Sequence, residues 1–390
     1  MKNVLIFSGG RGSKSLIDSL YKLSLPLKIN TIINLYDDGK SSGMVRSSFD
    51  MPGPSDARKV QEIFLRKKKV LPRYQERIFD LRISTSYLSF LKEINNFINF
   101  KDNNLFGVNI PNKVFKNKIR IYIKKFSSLL NNKFINTKDI SLMNIVYVGA
   151  YFHHNKNINN SIKNISTLFK IKNKIVSCGY KNLYLSGINQ NNKIFYSEEE
   201  IVEQRSNINM QDIFLTSNKL NKGLDNSANN SRRIQKIKKL HTIDKISKEA
   251  HSLISKADII IYSPGTPYSS LYPSYIVKGV GLAISNNINA IKIIITNIGS
   301  DYETPKFKAD DYIKNTIRFL NKDCKFKSES LITHCLINNP PSKKKYYVKP
   351  YLSNKYKNNL NILLSNFENK SMQGTHDPLK LAEILKSIII

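Results

Sequence analysis

A chain of 390 residues with 41% hydrophobic and 23% charged content has enough apolar material for a large core, which excludes a disordered or fibrous protein. Its three cysteines, Cys178, Cys324 and Cys335, are odd in number and form no CxxC pair, which excludes a disulfide scaffold and a zinc site and suggests a reducing compartment. The 62 basic and 29 acidic residues leave a net charge of +33, extreme for a metabolic protein. Lysine, asparagine and isoleucine crowd the whole sequence while tryptophan is absent, the pattern of an AT-biased genome. The lysines are scattered, so no specific nucleic-acid partner is expected, and weak binding that collapses with salt would be counterion release. No stretch has the length of a membrane span, and Gly9 interrupts the first apolar run too early for a signal peptide, so no membrane partner and a cytoplasmic location are expected.

The chain opens with the apolar run Val4–Phe7, the loop Ser8-Gly9-Gly10-Arg11-Gly12, and then Leu16, Ile17, Leu20 and Leu23 at helical spacing. This is strand, glycine loop, helix. Glycines let the backbone approach a ligand closely, and free N–H groups at a helix start favour an anion such as phosphate, although GGRG is only part of a dinucleotide fingerprint. Thr31–Tyr36 predicts a second buried strand, which places Asp37 and Asp38 at its carboxyl end. In open α/β sheets ligands bind beyond that end, where carboxylates meet ribose hydroxyls, a metal ion or a polarised substrate; an ordinary Asp-Gly turn is the structural alternative.

A helix is expected over 56–65 with Asp56 as its N-cap, flanked by Arg46 and Arg58, which could clamp a phosphate or simply carry surface charge. Residues 66–142 read as a mostly helical lobe with apolar patches at 87–98 and 119–130. Met143–Val148 resembles another strand, with Asn144 at its start, and 157–169 a helix. His153 and His154 between them read as loop surface, because adjacent histidines point apart and rarely share a metal. Residues 182–196 predict two short strands around a polar turn, and Ser197 with Glu200 a capping box. The polar stretch 204–240 is expected to be an exposed connection.

Asp244–Lys256 predicts an amphipathic helix leading into a strand at 257–262. The following loop, Ser263–Ser270, offers backbone N–H groups at Gly265 and onward and the hydroxyls of Thr266, Ser269 and Ser270 to an anion; a plain strand-to-helix turn is the alternative. Residues 291–296 predict a strand ending at Asn297, which could orient a base or sugar edge. The Lys- and Tyr-rich tail 340–370 is read as wrapping the surface. His376 and Asp377 precede a helix whose first residue is Pro378, and the helix-start signal accounts for them.

In order along the chain, GGRG, DDGKSSGMVR, PGPSDARKV, SPGTPYSSLYPSYIV, TNIGSDYET and HDPLKLAEIL resemble the motifs of the CofD/YvcK family. That family unites 2-phospho-L-lactate transferase of deazaflavin cofactor synthesis with bacterial gluconeogenesis-factor proteins that bind UDP-sugars. The blocks span residues 1–60 and 256–390, whereas 65–142 and 205–240 align with nothing. The SSG-x-x-R, Pro-Gly/Asp-x-Arg, ET and HD elements look more like the gluconeogenesis-factor branch. Arg11 stands where the family has a small polar residue, Lys40 replaces a glycine, and PGPSD is longer by one residue, each adding charge or length near the phosphate site.

The expected architecture is a single α/β domain over residues 1–390, a Rossmann-like three-layer fold with a mostly parallel sheet and a helical insertion lobe. Its strands are expected near 4–7, 31–36, 144–148, 175–178, 258–262 and 291–296. The resemblance implies a nucleoside-diphosphate-linked ligand with its phosphates on Gly9, Gly10 and Gly12 and on Gly265, Thr266, Ser269 and Ser270. Around it would stand Ser41, Ser42, Gly43, Arg46, Asp56, Arg58, Asn144 and Asn297, with both glycine or serine loops and the acid pair facing one groove. As a transferase, the protein would let an acceptor hydroxyl attack a phosphoryl group and release a nucleoside monophosphate. Asp37 or Asp38 would hold Mg²⁺ or orient the hydroxyl, and Arg46 and Arg58 would offset developing charge. The alternative is a regulator that binds a UDP-sugar without chemistry; a homo-oligomer is compatible with both.

Overall fold

Short apolar runs, too brief for helices and, except in the last of them, buried along most of their length, build the central sheet of this protein. The structure is a computed structural model that describes residues 1–130, 134–221, 230–339 and 346–390. Seven strands form the sheet: β1 (Lys2–Ser8), β2 (Leu27–Ile33), β3 (Ile175–Ser177), β4 (Ile259–Tyr262), β5 (Ile291–Ile295), β6 (His334–Asn338) and β7 (Asn361–Ser365). Their order is β7-β6-β5-β4-β1-β2-β3, and every pairing from β7 through β2 is parallel. Parallel strands need crossovers, and the flanking helices that supply them give a three-layer α/β arrangement. After β1 the chain moves outward to β2, whereas from β4 it runs the other way through β5, β6 and β7. The sheet therefore has its topological switch point between β1 and β4, the position at which open α/β sheets hold ligands.

The chain divides into two compact units, Met1–Tyr36 with Ser177–Ile390, and Asp37–Val176. The first carries six of the seven strands of the sheet, all but β3, and a three-stranded antiparallel layer, Met210–Thr216 beside Tyr184–Asn189 beside Ile194–Phe195. The second is built mainly of helices. At its centre Leu142–His153 is buried from Leu142 through Tyr151 and packs on Lys113–Ser128, Lys40–Phe49, Arg73–Asp80 and Ile158–Leu168.

Several expectations are corrected. Residues 144–148 are helix, not strand: a segment buried on all sides shows no periodicity, and the β-branched Ile145, Val146 and Val148 mimic a strand. The second strand ends at Ile33, because the Asn34 side chain accepts the Tyr36 N–H at 2.8 Å and turns the backbone. The helix expected from Asp56 is Ser55–Leu65, with Pro54 as cap and Asp56 inside its first turn. The helix expected from Asp244 is Lys248–Ser255, capped by the Ser247 hydroxyl. The stretch expected as an exposed connection contains the buried strand Met210–Thr216 and the helix Asn230–Lys239, with 222–229 outside the described residues. The tail supplies β7, an edge strand, while 340–345 lie outside the described residues.

Candidate functional site

At the carboxyl rim of the sheet the ends of four neighbouring strands are tied to one another. β1 ends in the glycine loop, where Gly10 takes φ +70° and Gly10–Ser13 forms a 3-10 turn before the helix Lys14–Lys22. The Ser8 and Ser13 hydroxyls meet at 2.7 Å, and Ser13 Oγ donates to the Gly10 carbonyl at 3.0 Å, which closes the loop on itself. β4 ends in Ser263–Ser270, and the two loops touch. A Cβ added at Gly9 would overlap the Ser270 side chain, and one at Gly12 would sit 2.9 Å from the Pro264 carbonyl oxygen. Glycine at these two positions is thus required by backbone packing, independently of any ligand.

β2 and β5 complete the rim. Asn34, just past β2, donates from Nδ2 to the Ser270 carbonyl at 2.8 Å. Asn297, just past β5, accepts the Gly265 N–H at 2.9 Å and donates to the Gly265 carbonyl at 3.0 Å and to Asp301 Oδ2 at 3.2 Å. Thr266, Ser269 and Ser270 bring their hydroxyls together, Thr266 Oγ1 lying 2.8 Å from Ser270 Oγ and accepting from Ser269 Oγ at 3.0 Å. Of the expected binding residues, Gly9, Gly10, Gly12, Gly265, Thr266, Ser269, Ser270 and Asn297 all lie on this rim.

The loop's backbone donors are not open to a ligand as expected. Glu303 Oε2 accepts the N–H groups of Tyr268 at 2.7 Å and Ser269 at 3.1 Å, and the Ser270 N–H goes to the Thr266 carbonyl. Glu303 is 1% exposed; burial and the neighbouring Asp301 push its carboxyl up to about 8, against the pull of the Ser269 and Tyr268 donors. Asp301 and Glu303 lie in the TNIGSDYET block that carries the family resemblance, but neither was given a role from the sequence. The signal was available: two acids in a strongly basic chain, two residues apart, in the loop that follows a strand.

Behind Asn297 stands His376, buried and stacked on Phe367 with ring centroids 5.5 Å apart. Its Nε2 hydrogen-bonds the Thr296 carbonyl at 3.1 Å, a contact that needs the N–H on that nitrogen. Burial pushes the imidazole down to about 4 despite that hydrogen bond. Folding therefore favours neutral His376. Its contribution to stability is full above the ordinary histidine value near 6.5 and is lost as pH falls from there toward about 4. A His376→Gln variant, whose amide can still donate, is expected to show a shallower drop in thermal midpoint than the parent between those pH values; equal drops would remove the assignment. Asp377 caps the helix Pro378–Ile389 by accepting the Leu379 and Lys380 N–H groups, as expected.

The remaining expected residues lie in the helical unit. Asp37 is paired with Lys59, whose Nζ lies 3.3 Å from Asp37 Oδ1 and 3.2 Å from Asp56 Oδ1. Burial would raise the Asp37 carboxyl, but the Lys59 ammonium and the Ser42 and Ser55 hydroxyls outweigh it and hold the group below its usual value. The same two carboxylates, against burial, hold Lys59 protonated well above the ordinary lysine range. Lys59 had been passed over, although Asp56 and Lys59 at i,i+3 on one helix face were a readable pair. Ser42 and Ser55 are hydrogen-bonded, Arg46 is fully buried with its Nη1 donating to the Asp37 carbonyl at 3.3 Å, and Asp38 and Arg58 are buried. Ser41 Oγ accepts from Asn144 Nδ2 at 2.9 Å and from the Ser141 N–H at 3.2 Å, so Asn144 reaches the loop from a helix rather than a strand. The Gly43 N–H is spent on the Gly39 carbonyl at 2.6 Å. The side chains of Arg11 and Lys40 lie outside the described residues.

At Asp37, one of the two residues expected to hold Mg²⁺, a cation of the chain itself is already in place. Mg²⁺ needs free carboxylate oxygens, and the Lys59 ammonium already occupies the cation position between Asp37 and Asp56. Among the described residues no group of three or more His, Cys, Asp or Glu could hold a metal. Among the described residues no helix is long and apolar enough to cross a membrane.

Comparison with known proteins gives a consistent result. The family model described as 2-phospho-L-lactate transferase CofD matches residues 4–378. The chain is similar to the gluconeogenesis factor of Halalkalibacterium halodurans, 23% identical over 314 residues that cover 80% of this chain and 72% of that protein. It is likewise similar to the gluconeogenesis factor of Bacillus subtilis, at 22% identity over 80% of this chain and 73% of that one. A crystal structure of a UPF0052-family protein from Bacillus halodurans superposes with a TM-score of 0.66 at 20% identity, covering 98% of this chain and 99% of that one, which supports the fold.

Proposed function

The chain belongs to the family of 2-phospho-L-lactate transferase CofD, and from that premise we propose that it binds a nucleoside-diphosphate-linked ligand such as a UDP-sugar and holds it without turnover. The observation that carries the binding reading is the rim of the sheet unit, where the Gly9–Gly12 loop, the Ser263–Ser270 loop, Asn34 and Asn297 interlock at the topological switch point. The transferase alternative draws on the family model's description. It needs at Asp37 a carboxylate free to take a proton or a cation, and a carboxyl held below its usual value by an ammonium is a weak base. The names of the similar curated proteins point the same way, toward a factor rather than a transferase.

Incubation with nucleoside-diphosphate sugars, read by thermal shift and by chromatography for released monophosphate, separates the two. Stabilisation without product is expected, about 2.7 kcal/mol at a ligand concentration 100 times Kd. It should be unchanged by EDTA. Release of nucleoside monophosphate would establish the transferase, and the absence of any shift would remove the ligand class. In Lys59→Met, Asp37 loses its ammonium partner, and added Mg²⁺ is expected to raise the thermal midpoint of that variant by several degrees more than that of the parent; equal responses would mean that Lys59 does not stand in for a metal.

A further inference from the structure

The Ser263–Ser270 loop has the form of an anion cradle, yet its place is filled by a carboxyl of the chain itself. Glu303 reaches from the loop after β5 and sets Oε2 against the Tyr268 and Ser269 N–H groups at 2.7 and 3.1 Å, the position a phosphate oxygen would take. Its other oxygen, Oε1, is buried without a hydrogen-bond partner among the described residues. The acid is itself held in place. Asp301 Oδ1 accepts the Glu303 and Thr304 N–H groups at 2.8 and 2.9 Å, Asp301 Oδ2 accepts from Thr304 Oγ1 and Asn297 Nδ2, and the Glu303 carbonyl accepts the Met210 N–H at 2.8 Å. With its N–H groups taken, the loop keeps on its half-buried side the clustered hydroxyls of Thr266 and Ser270, backed by Ser269.

We propose that Glu303 is a specificity-determining residue: it fills the phosphate position of this loop with a carboxyl, so that the loop receives the hydroxyl-bearing sugar of the ligand and leaves the diphosphate to the Gly9–Gly12 loop. This rests on the nucleoside-diphosphate reading above and assigns a chemical class to each loop. A second phosphate site at 263–270 would require Glu303 to withdraw, because its Oε2 already occupies the two N–H donors that a phosphate oxygen would need.

The groups facing Glu303 are Asp301 on its own loop, Tyr268 on the turn and Tyr312 on the helix Ala309–Leu320. Arg318, Asp212 and Asp311 act on Tyr268 in turn, and both tyrosines are held above the ordinary tyrosine range, so they keep their protons up to pH 9. Glu303 is pushed up to about 8. Raising pH from 7 to 9 therefore adds a buried negative charge at the rim and weakens binding of an anionic ligand.

Two variants of the full chain test this. In Glu303→Ala the freed N–H groups are expected to bind inorganic phosphate, with a half-saturating concentration in thermal shift at least tenfold below that of the parent. In Glu303→Gln the amide oxygen still accepts the two N–H groups, so phosphate binding should stay at the parent level. Affinity for a UDP-sugar should then be flat between pH 7 and 9, whereas the parent weakens severalfold. Equal phosphate responses in parent and Glu303→Ala would overturn the proposal. If Glu303→Ala does not fold, the pH profile decides, and a Glu303→Gln profile that tracks the parent overturns it. The phosphate comparison needs no nucleotide, so it remains readable even if no nucleotide sugar binds the parent.

Discussion

Gly9→Val is expected to abolish ligand-induced stabilisation. Even the first carbon of the new side chain would overlap Ser270, whose backbone is fixed by Asn34 through its carbonyl and by Thr266 through its N–H. The clash is therefore relieved only by prying the two loops apart. Overpacking of this kind costs about 1–3 kcal/mol. Displacing a binding loop by an ångström removes its contacts altogether, so a loss of at least 100-fold in affinity should accompany a modest drop in thermal midpoint. Isothermal titration with a UDP-sugar, together with a urea melt, gives both numbers. Retained affinity in a folded Gly9→Val protein would mean that the ligand binds elsewhere.

Arg46→Met should destabilise the helical unit by about 2–5 kcal/mol. Arg46 has no exposure at all and heads the largest fully buried side chains, and its guanidinium supports the Asp37 carbonyl at 3.3 Å. Methionine fills most of the stem's volume but leaves buried acceptors without their donor. Urea unfolding followed by circular dichroism measures the loss. A change under 0.5 kcal/mol would show that the guanidinium is merely accommodated. Of the two readings open for Arg46, a phosphate clamp and a surface charge, complete burial excludes the second.

How much could be read in advance follows from where the information lies. β1, β4 and β5 were legible as short apolar runs followed by turn residues. β6 and β7 were not: His334–Asn338 is a short run with polar residues at both ends, and Asn361–Ser365 is an edge strand, partly exposed throughout, set in a Lys- and Asn-rich stretch. The strand Met210–Thr216 was lost in a polar neighbourhood because its partner, Tyr184–Asn189, is remote in sequence and only pairing reveals it. Within the rim, the glycines and hydroxyls announced themselves by type. What they face did not, since Glu303 lies 35 and 34 residues beyond the N–H groups that it accepts. Sequence patterns show that a loop can cradle an anion; they do not show that a carboxyl of the chain itself fills the place.

The pairing of β1 with β4 has a consequence for biosynthesis. Val4 lies opposite Ile259, so the first strand to leave the ribosome waits about 250 residues for its neighbour, on the order of 10 to 50 s at ordinary elongation rates. During that time an apolar strand edge is open to solvent and to other nascent chains. Slowed translation or premature termination ahead of Ile259 should therefore yield aggregates or chaperone-bound fragments rather than a half-active protein.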